Sequence, residues 1–329
     1  MQRLVERPLG IVILAFCALW ITQPASAEVP PAQRAVLVTG ASSGIGLKIT
    51  ERLAADGYYV YAGARKAEDL ERLSRMDNVS AVKLDVTVQD DVDAAVAFIK
   101  GEGRGLWGLV NNAGVAAVGA VAETSQRDLD FQFGVNVFGV HRVTRAFLPL
   151  IIESKGRITT IGSISGYIAE ENASTYCMTK FAMEALTDSL ALEMEPLGVT
   201  VNIVEPGSFR TPIWRKMADR QLEQASQAGK VSAEVRQSVE GIASFGAGQP
   251  EPDAVAAAVE HALFSESPKR RYMVTPDQEQ AEITLQTSLR RVAELNHAHK
   301  FSYSRDSLVE MLDEALAALE KSPASRERK

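Results

Sequence analysis

An α/β fold built on a doubly wound parallel sheet is the class this 329-residue sequence predicts, and three observations carry the prediction. Short apolar runs alternate with segments of helical periodicity over most of the chain. A glycine-rich turn joins the first such run to the first helix, and no Pro/Gly/Ser linker breaks the stretch from Ala35 to Pro276. Strands that alternate with helices pair in parallel, because each right-handed crossover lays its helix on a face of the sheet.

The elements follow in order. Ala35 to Thr39 is a short apolar run, Ile45 to Asp56 has helical periodicity, and Tyr58 to Ala62 is apolar again, which makes a strand, helix, strand unit. Ala81 to Leu84, a helix over Val92 to Lys100, Leu109 with Val110, long helical stretches to Leu150, and a strand from Arg157 to Ile161 continue the alternation. A helix around Tyr176 and strands at Val199 to Val204 and Arg271 to Val274 complete it. The polar helical segment from Ser208 to Pro250 interrupts the pattern and is read as a lid over about 208–250. One domain over 33–280 and an amphipathic helical extension over 281–329 account for the chain, with a charged tail from Arg326 to Lys329 that is expected to fray.

Ahead of the domain, Arg3 and Arg7 precede an apolar run from Leu9 to Ile21, and Ala25-Ser26-Ala27 follows it. A helix of that run reaches roughly 20 Å against a hydrocarbon core of about 30 Å, which suits a secretory signal peptide cleaved after Ala27. Counting on to Ala27 gives a stretch long enough for a tilted N-terminal anchor. Residues 1–27 therefore predict either an exported, periplasmic protein or one anchored to the membrane and facing the cytoplasm; translation from a later start is a third reading. The net charge of -7 argues against nucleic acid as a partner, and 46% apolar with 23% charged residues describe an ordinary globular protein. Cys17 lies in the leader, so Cys177 is left without an intramolecular partner, and the four histidines lack metal-ligand spacing, so no metal is expected.

The chemistry centres on Tyr176 to Lys180, which read Y-C-M-T-K. Residues four apart on a helix share a face, so the Lys180 ammonium can sit beside the Tyr176 phenol and is expected to lower its pKa toward the range useful for acid/base work. Ser163, in G-S-I-S-G after an apolar strand, can polarise the same substrate oxygen. Thr39 to Gly46 read T-G-A-S-S-G-I-G between strand and helix, where backbone N–H groups and the helix N-terminus suit a pyrophosphate. At the end of the second strand stands Arg65, not an acidic residue, which favours a 2'-phosphate over a 2'-hydroxyl and hence NADP(H), with NAD(H) the alternative. Asp85, closing the third strand, either accepts from the adenine amino group or is a turn residue. Asn136 lies in an apolar helix and must be satisfied by a backbone partner or by a water, in a structural network or in a proton relay.

Taken together, T-G-A-S-S-G-I-G, N-N-A-G (Asn111 to Gly114), N-V-F-G (Asn136 to Gly139), G-S-I-S-G, Y-C-M-T-K and P-G-S-F-R-T (Pro206 to Thr211) resemble the short-chain dehydrogenase/reductase family in its single-domain, Rossmann-type branch. Within it, G-L-W-G-L-V-N-N-A-G-V and F-L-P-L-I-I-E-S-K-G-R-I are similar to the 3-hydroxybutyrate, retinol and hydroxysteroid dehydrogenase group. The resemblance implies Tyr176 as general acid/base and Lys180 as its modulator and a ligand of the nicotinamide ribose. It also implies Ser163 as the group that positions the carbonyl or alcohol, and Asn136 as the holder of a relay water. Gly40, Gly44, Ile45 and Gly46, with Ser42 and Ser43 in the same turn, would cradle the pyrophosphate. Asp85, Val86, Asn112, Ala113 and Gly114 would lie on the adenosine side, and Pro206, Gly207 and Thr211 beside the nicotinamide. A homodimer or homotetramer through the helices over 131–150 and 175–197 is implied as well.

The expected activity is hydride transfer between NADP(H) and a secondary alcohol or ketone. Several members of that group use NAD, which pulls against Arg65; the charge that must meet the 2'-phosphate decides for NADP. Tyr167, Ile168, Phe209, Ile213, Trp214 and Met217 suggest an apolar pocket for a steroid, retinoid, fatty or aromatic carbonyl compound, or are core. A nucleotide-binding regulator without catalysis is the other class the fold admits.

Overall fold

The computed structural model describes residues 34–321, so the leader at 1–27 and the tail beyond Lys321 lie outside the described residues. Seven strands, β1 (Val36–Thr39), β2 (Val60–Ala64), β3 (Val79–Lys83), β4 (Gly108–Asn111), β5 (Arg157–Ile161), β6 (Thr200–Pro206) and β7 (Arg271–Val274), form one sheet. Their order is β3-β2-β1-β4-β5-β6-β7 and every pair is parallel. The winding direction reverses between β1 and β4, and the crevice outside the carboxyl ends of the strands at that reversal is where ligands bind in such sheets.

Neighbouring residues on a strand face opposite sides, and here both sides are apolar. Leu37, Tyr61, Leu109 and Ile158 pack into one layer with helices α3 (Gln89–Gly101) and α5 (Val140–Ser154) through Ile99, Phe147 and Ile151. Val36, Val38, Val60 and Val110 pack into the other layer with α1 (Gly44–Ala55) and α9 (Asp253–Phe264) through Ile49, Leu53, Val259 and Leu263. The helical stretch over Gln126–Ser154 is long and apolar enough by composition to cross a membrane. Its Val143, Phe147 and Ile151 are wholly buried against the sheet, which is the packing of a core helix.

Three features were not in the sequence reading. The first is a pair of added helices: α2 (Ala67–Leu73) joins β2 to β3, and α9 covers the sheet ahead of β7. The long helical run is divided: α4 (Gln126–Phe133) passes through a π-helical segment, Gly134–Gly139, before α5. The third is that Tyr58 precedes β2, its ring stacked on Phe264 at 3.7 Å, so the second strand starts two residues late. After α6 (Ser174–Met194), the segment expected as a lid over about 208–250 forms α7 (Pro212–Gln227) and α8 (Ala233–Gly248). The extension is two helices, α10 (Gln278–Asn296) and α11 (Arg305–Lys321), so the boundary drawn at 280 falls inside α10.

Gly156, at the turn into β5, is the tightest point of the sheet: a Cβ there would lie 2.0 Å from the Trp107 carbonyl oxygen. That oxygen is engaged by the Arg157 N–H at 2.8 Å and has nowhere to go. Gly156→Ala is expected to destabilise the protein by about 1–3 kcal/mol through backbone displacement. Gly101→Ala, where nothing lies within 4 Å, should change little; urea unfolding midpoints compare the two.

Candidate active site

The glycine turn forms where β1 runs into α1. Gly40 and Gly44 take φ of +65° and +56°, a region that side chains disfavour, and a Cβ on Gly46 would lie 2.3 Å from the Asn112 amide nitrogen and 2.4 Å from the Gly40 oxygen. Asn112 draws that turn against β4 by donating from Nδ2 to the Thr39 oxygen at 2.8 Å and the Gly40 oxygen at 3.2 Å. Thr39 Oγ1 answers by accepting from the Asn112 and Ala113 N–H groups, both at 3.0 Å. Ser43 stands at the N-cap of α1 in extended backbone but makes no capping bond, so the first N–H groups of that helix are left for an anion. Ile45 packs beneath into the core, and the Ser42 oxygen accepts from Arg72 at 2.6 Å. This cradle fits the pyrophosphate of a nicotinamide dinucleotide: its donors are main-chain N–H groups, and its turn is packed against the loop after β4 too closely for any side chain at Gly46.

Arg65 follows β2 and is exposed, with Nη1 3.5 Å from Asp85 Oδ2. Asp85 Oδ1 accepts from Thr87 N at 2.9 Å and Thr87 Oγ1 at 2.6 Å. Burial disfavours the Asp85 charge, but the Thr87 bonds and the Arg65 guanidinium outweigh it and hold the carboxyl below its ordinary range. Val86 is buried, and its carbonyl accepts from Arg142 at 2.6 Å.

Ser163 lies two residues past β5 and opens a 3-10 turn, Ile164–Gly166; its Oγ accepts from Ser165 N at 3.1 Å and lies 3.5 Å from the Pro206 oxygen. Tyr176 and Lys180 share a face of α6. The Lys180 ammonium donates to the Ile161 oxygen at 3.0 Å and sits 5.6 Å from the centre of the Tyr176 ring. Burial pushes the phenol up to about 12, opposed by a hydrogen bond from Ser163. Burial pushes Lys180 down to about 8, opposed by the charge of Glu184. The phenol is therefore raised, where a lowering by the neighbouring ammonium was expected, because burial is the dominant cause. Both groups are dehydrated, dehydration disfavours a charge on either, and the cation is committed to a main-chain oxygen.

Asn136 is satisfied without water: Oδ1 accepts from Val115 N at 2.9 Å, and Nδ2 donates to the Val115 oxygen at 2.9 Å and to Thr179 Oγ1 at 3.1 Å. It sits in the π segment, whose wider turn carries that amide out to the loop after β4. A Cβ on Gly114 would approach its Oδ1 at 3.7 Å. Gly207, after β6, leaves room for the Gln280 side chain, whose Oε1 a Cβ would meet at 2.4 Å. Thr211 abuts Gly44 and caps α7 through Ile213 N at 3.4 Å.

Ser163, Tyr176, Lys180 and Asn136 therefore gather at the carboxyl ends of the central strands, beside the glycine cradle, while Arg65 and Asp85 mark its far end. Of the apolar candidates, Ile168, Phe209 and Met217 are buried as core. Trp214 donates to the Phe209 oxygen at 2.8 Å and packs on Gly246 and Phe245. A cavity of about 600 Å³ lies between α1 and the helices α7 and α8, lined by Gly44, Lys48, Arg210 and Trp214 among others, but Ser163, Tyr176 and Lys180 do not line it. The sequence reading missed Thr39, Thr179 and Arg72, although Thr39 opens the glycine motif and Thr179 lies between Tyr176 and Lys180. Gly46→Ala should weaken nicotinamide-dinucleotide binding by about tenfold through backbone displacement, read by the fluorescence of the bound reduced dinucleotide, with Gly101→Ala, which has open space and no positive φ, as the unaffected control.

The pattern described as short chain dehydrogenase matches residues 34–222. The mitochondrial D-beta-hydroxybutyrate dehydrogenase of Bos taurus is 42% identical over 190 residues, 55% of this chain and 55% of that protein, so the match spans little more than half of the bovine chain. Retinol dehydrogenase 5 of Mus musculus is 35% identical over 282 residues, 80% of this chain and 87% of that one. Among solved structures, a short-chain dehydrogenase from Streptomyces avermitilis superposes with a TM-score of 0.67 at 32% identity, covering 80% of this chain and 94% of its own. On the strength of the cradle, the Tyr176 and Lys180 pair and these likenesses, the chain belongs to the short-chain dehydrogenase family.

Proposed function

We propose that this protein is an NADP(H)-dependent oxidoreductase that interconverts a secondary alcohol and a ketone, with a hydrophobic carbonyl compound of the steroid, retinoid, fatty or aromatic type as substrate. The observation that carries the reading is the convergence of a buried serine hydroxyl, a tyrosine phenol and a lysine ammonium beside a cradle only glycines can form. The dinucleotide, when bound, supplies the hydride for reduction or takes it up in oxidation. Ser163 holds the substrate oxygen by a hydrogen bond. Tyr176 gives that oxygen its proton during reduction and takes the proton back from the hydroxyl during oxidation. The phenol is protonated at neutral pH, as the acid in ketone reduction must be, and burial makes its anion costly, which is what Ser163 and Lys180 offset as the proton leaves. Lys180, held at the Ile161 oxygen, keeps a positive charge near the developing phenolate.

Arg65 supports NADP(H): it is an exposed guanidinium just after β2, and its contact with Asp85 is long enough to be exchanged for a phosphate. The exposed apolar residues Phe138, Met178 and Leu192, on the helical stretches that the family resemblance assigns to subunit contacts, support a homodimer or homotetramer. Residues 1–27 support export or membrane anchoring, and sequencing the N-terminus of the native protein decides between them.

Tyr176→Phe is expected to lower kcat for ketone reduction by about 10²–10⁴-fold, while NADPH affinity stays within about threefold because the lost hydroxyl serves the substrate oxygen. Retained turnover in that variant would refute the acid/base role, and absence of turnover in the parent across ketones and alcohols would favour a nucleotide-binding regulator. Arg65→Ala should raise KM for NADPH about tenfold, the value of one charge-assisted phosphate contact, and leave KM for NADH nearly unchanged. A parent that prefers NAD(H) would overturn the NADP assignment.

A further inference from the structure

Glu184 stands one helical turn after Lys180 on α6, and Glu205 immediately precedes Pro206 at the end of β6. Glu205 is buried at 2% exposure. Both carboxyls reach one phenol: Tyr167 Oη lies 3.1 Å from Glu184 Oε2 and 3.1 Å from Glu205 Oε1. Arg271, from β7, donates from Nε to the same phenol oxygen at 2.6 Å, lies 3.5 Å from Glu205 Oε1, and reaches Glu184 Oε2 at 3.2 Å and Asp188 Oδ2 at 2.7 Å through Nη2.

Counting protons decides what state this cluster is in. Tyr167 has a single proton and can donate to only one of the two carboxyls; its oxygen has two lone pairs, one of which Arg271 uses. The second carboxyl contact would set acceptor against acceptor unless that carboxyl carries a proton and donates it to the phenol. Glu184 Oε1 is buried with no hydrogen-bond partner, which costs far less on a neutral or half-neutral carboxyl than on a full anion. Charge gives the same answer: Glu184, Glu205 and Asp188 face one guanidinium. Burial, helped by the Asp188 charge, raises Glu184 above its ordinary range, and burial with the Glu184 charge raises Glu205 to about 8.

The cluster also touches the reacting groups. A Cβ on Gly162 or Gly166, the residues on either side of the Ser163 turn, would come within 3.4 and 3.0 Å of Glu184 Oε1, and the Glu184 charge favours the ammonium form of Lys180.

We propose that Glu184 and Glu205 hold one proton in common through Tyr167, and that this pair is a positioning element for the reaction at Tyr176, keeping Lys180 charged and seating the Ser163 turn against β6. The inference rests on the function proposed above. The groups facing the pair are Lys180 and Asp188 from α6, Tyr167 from the loop after the 3-10 turn, and Arg271 from β7. When the shared proton leaves on raising the pH, a second negative charge appears in the cluster and Lys180 keeps its proton to a higher pH. Ketone reduction therefore persists further into alkali than a lone buried lysine would allow.

Glu205→Gln and Glu184→Gln keep the shape of the cluster and remove the second charge. In each, the alkaline limb of the kcat/KM profile for ketone reduction is expected to move down by about one pH unit, while kcat on the acid plateau stays within about threefold. A purely structural role would lower the plateau and leave the limb in place. A limb that stays put or moves up in both variants overturns the proposal. Infrared spectroscopy of the parent protein tests the shared proton independently of turnover and of how the variants fold. The band of a protonated buried carboxyl should be present at neutral pH and vanish in Glu205→Gln, and its absence from the parent overturns the pair even if no ketone is turned over. A parent with the band but without turnover refutes the proposed function and leaves the shared proton standing.

Discussion

The bonds that Thr39 and Asn112 exchange across the ends of β1 and β4 are the constraint on which the rest of the site depends. These strands are neighbours at the point where the sheet reverses its winding, so their ends diverge and would leave main-chain groups unpaired. Thr39 Oγ1 takes two N–H groups from the β4 side, and the Asn112 amide takes two carbonyls from the β1 side. The exchange holds the glycine turn in one shape and closes the space above Gly46. Without it, the orphan N–H groups at the head of α1 would not converge, and Tyr176 would have no defined neighbour for its substrate.

A second principle governs the chemistry. Dehydration opposes a charge on any group, so the acid and the cation of this site shift in opposite directions, the phenol upward and the amine downward. What the phenol needs from its surroundings is stabilisation only when it parts with its proton, and Ser163 and Lys180 are placed to provide that. In the proposed mechanism the phenol is neutral in the ground state, and its attraction to the Lys180 cation strengthens only as its own negative charge develops.

How much of this was legible in the sequence follows from which interactions are local. The parallel sheet, the glycine turn and the face shared by Tyr176 and Lys180 depend on spacing along one element, and the sequence displays them. The direction of the Tyr176 shift depends on what covers the ring from elsewhere in the fold, and a rule about neighbouring charge gave the opposite sign. Asn136 was left open between network and relay because its partners, Val115 and Thr179, lie 21 and 43 positions away. The π segment that carries it has no sequence signature of its own. Phe209 and Met217 look like pocket lining in a list of apolar residues, and only burial shows them to be core. Glu205 and Arg271 approach each other through the adjacency of β6 and β7, which spacing along the chain does not reveal.

The indole of Trp214 rests on Gly246, where any Cβ would sit 2.2 Å from the side chain, and thereby welds α7 to α8. The pair is tied to the body through a different kind of bond: Asp128 on α4 takes Arg220 Nε at 2.7 Å and Gln224 Nε2 at 2.6 Å. A hydrophobic weld inside the paddle and a polar hinge-pin outside it make the two helices a cassette. A change at Trp214 is therefore carried by both helices together, while the bonds that Thr39 and Asn112 exchange at the strand ends involve neither.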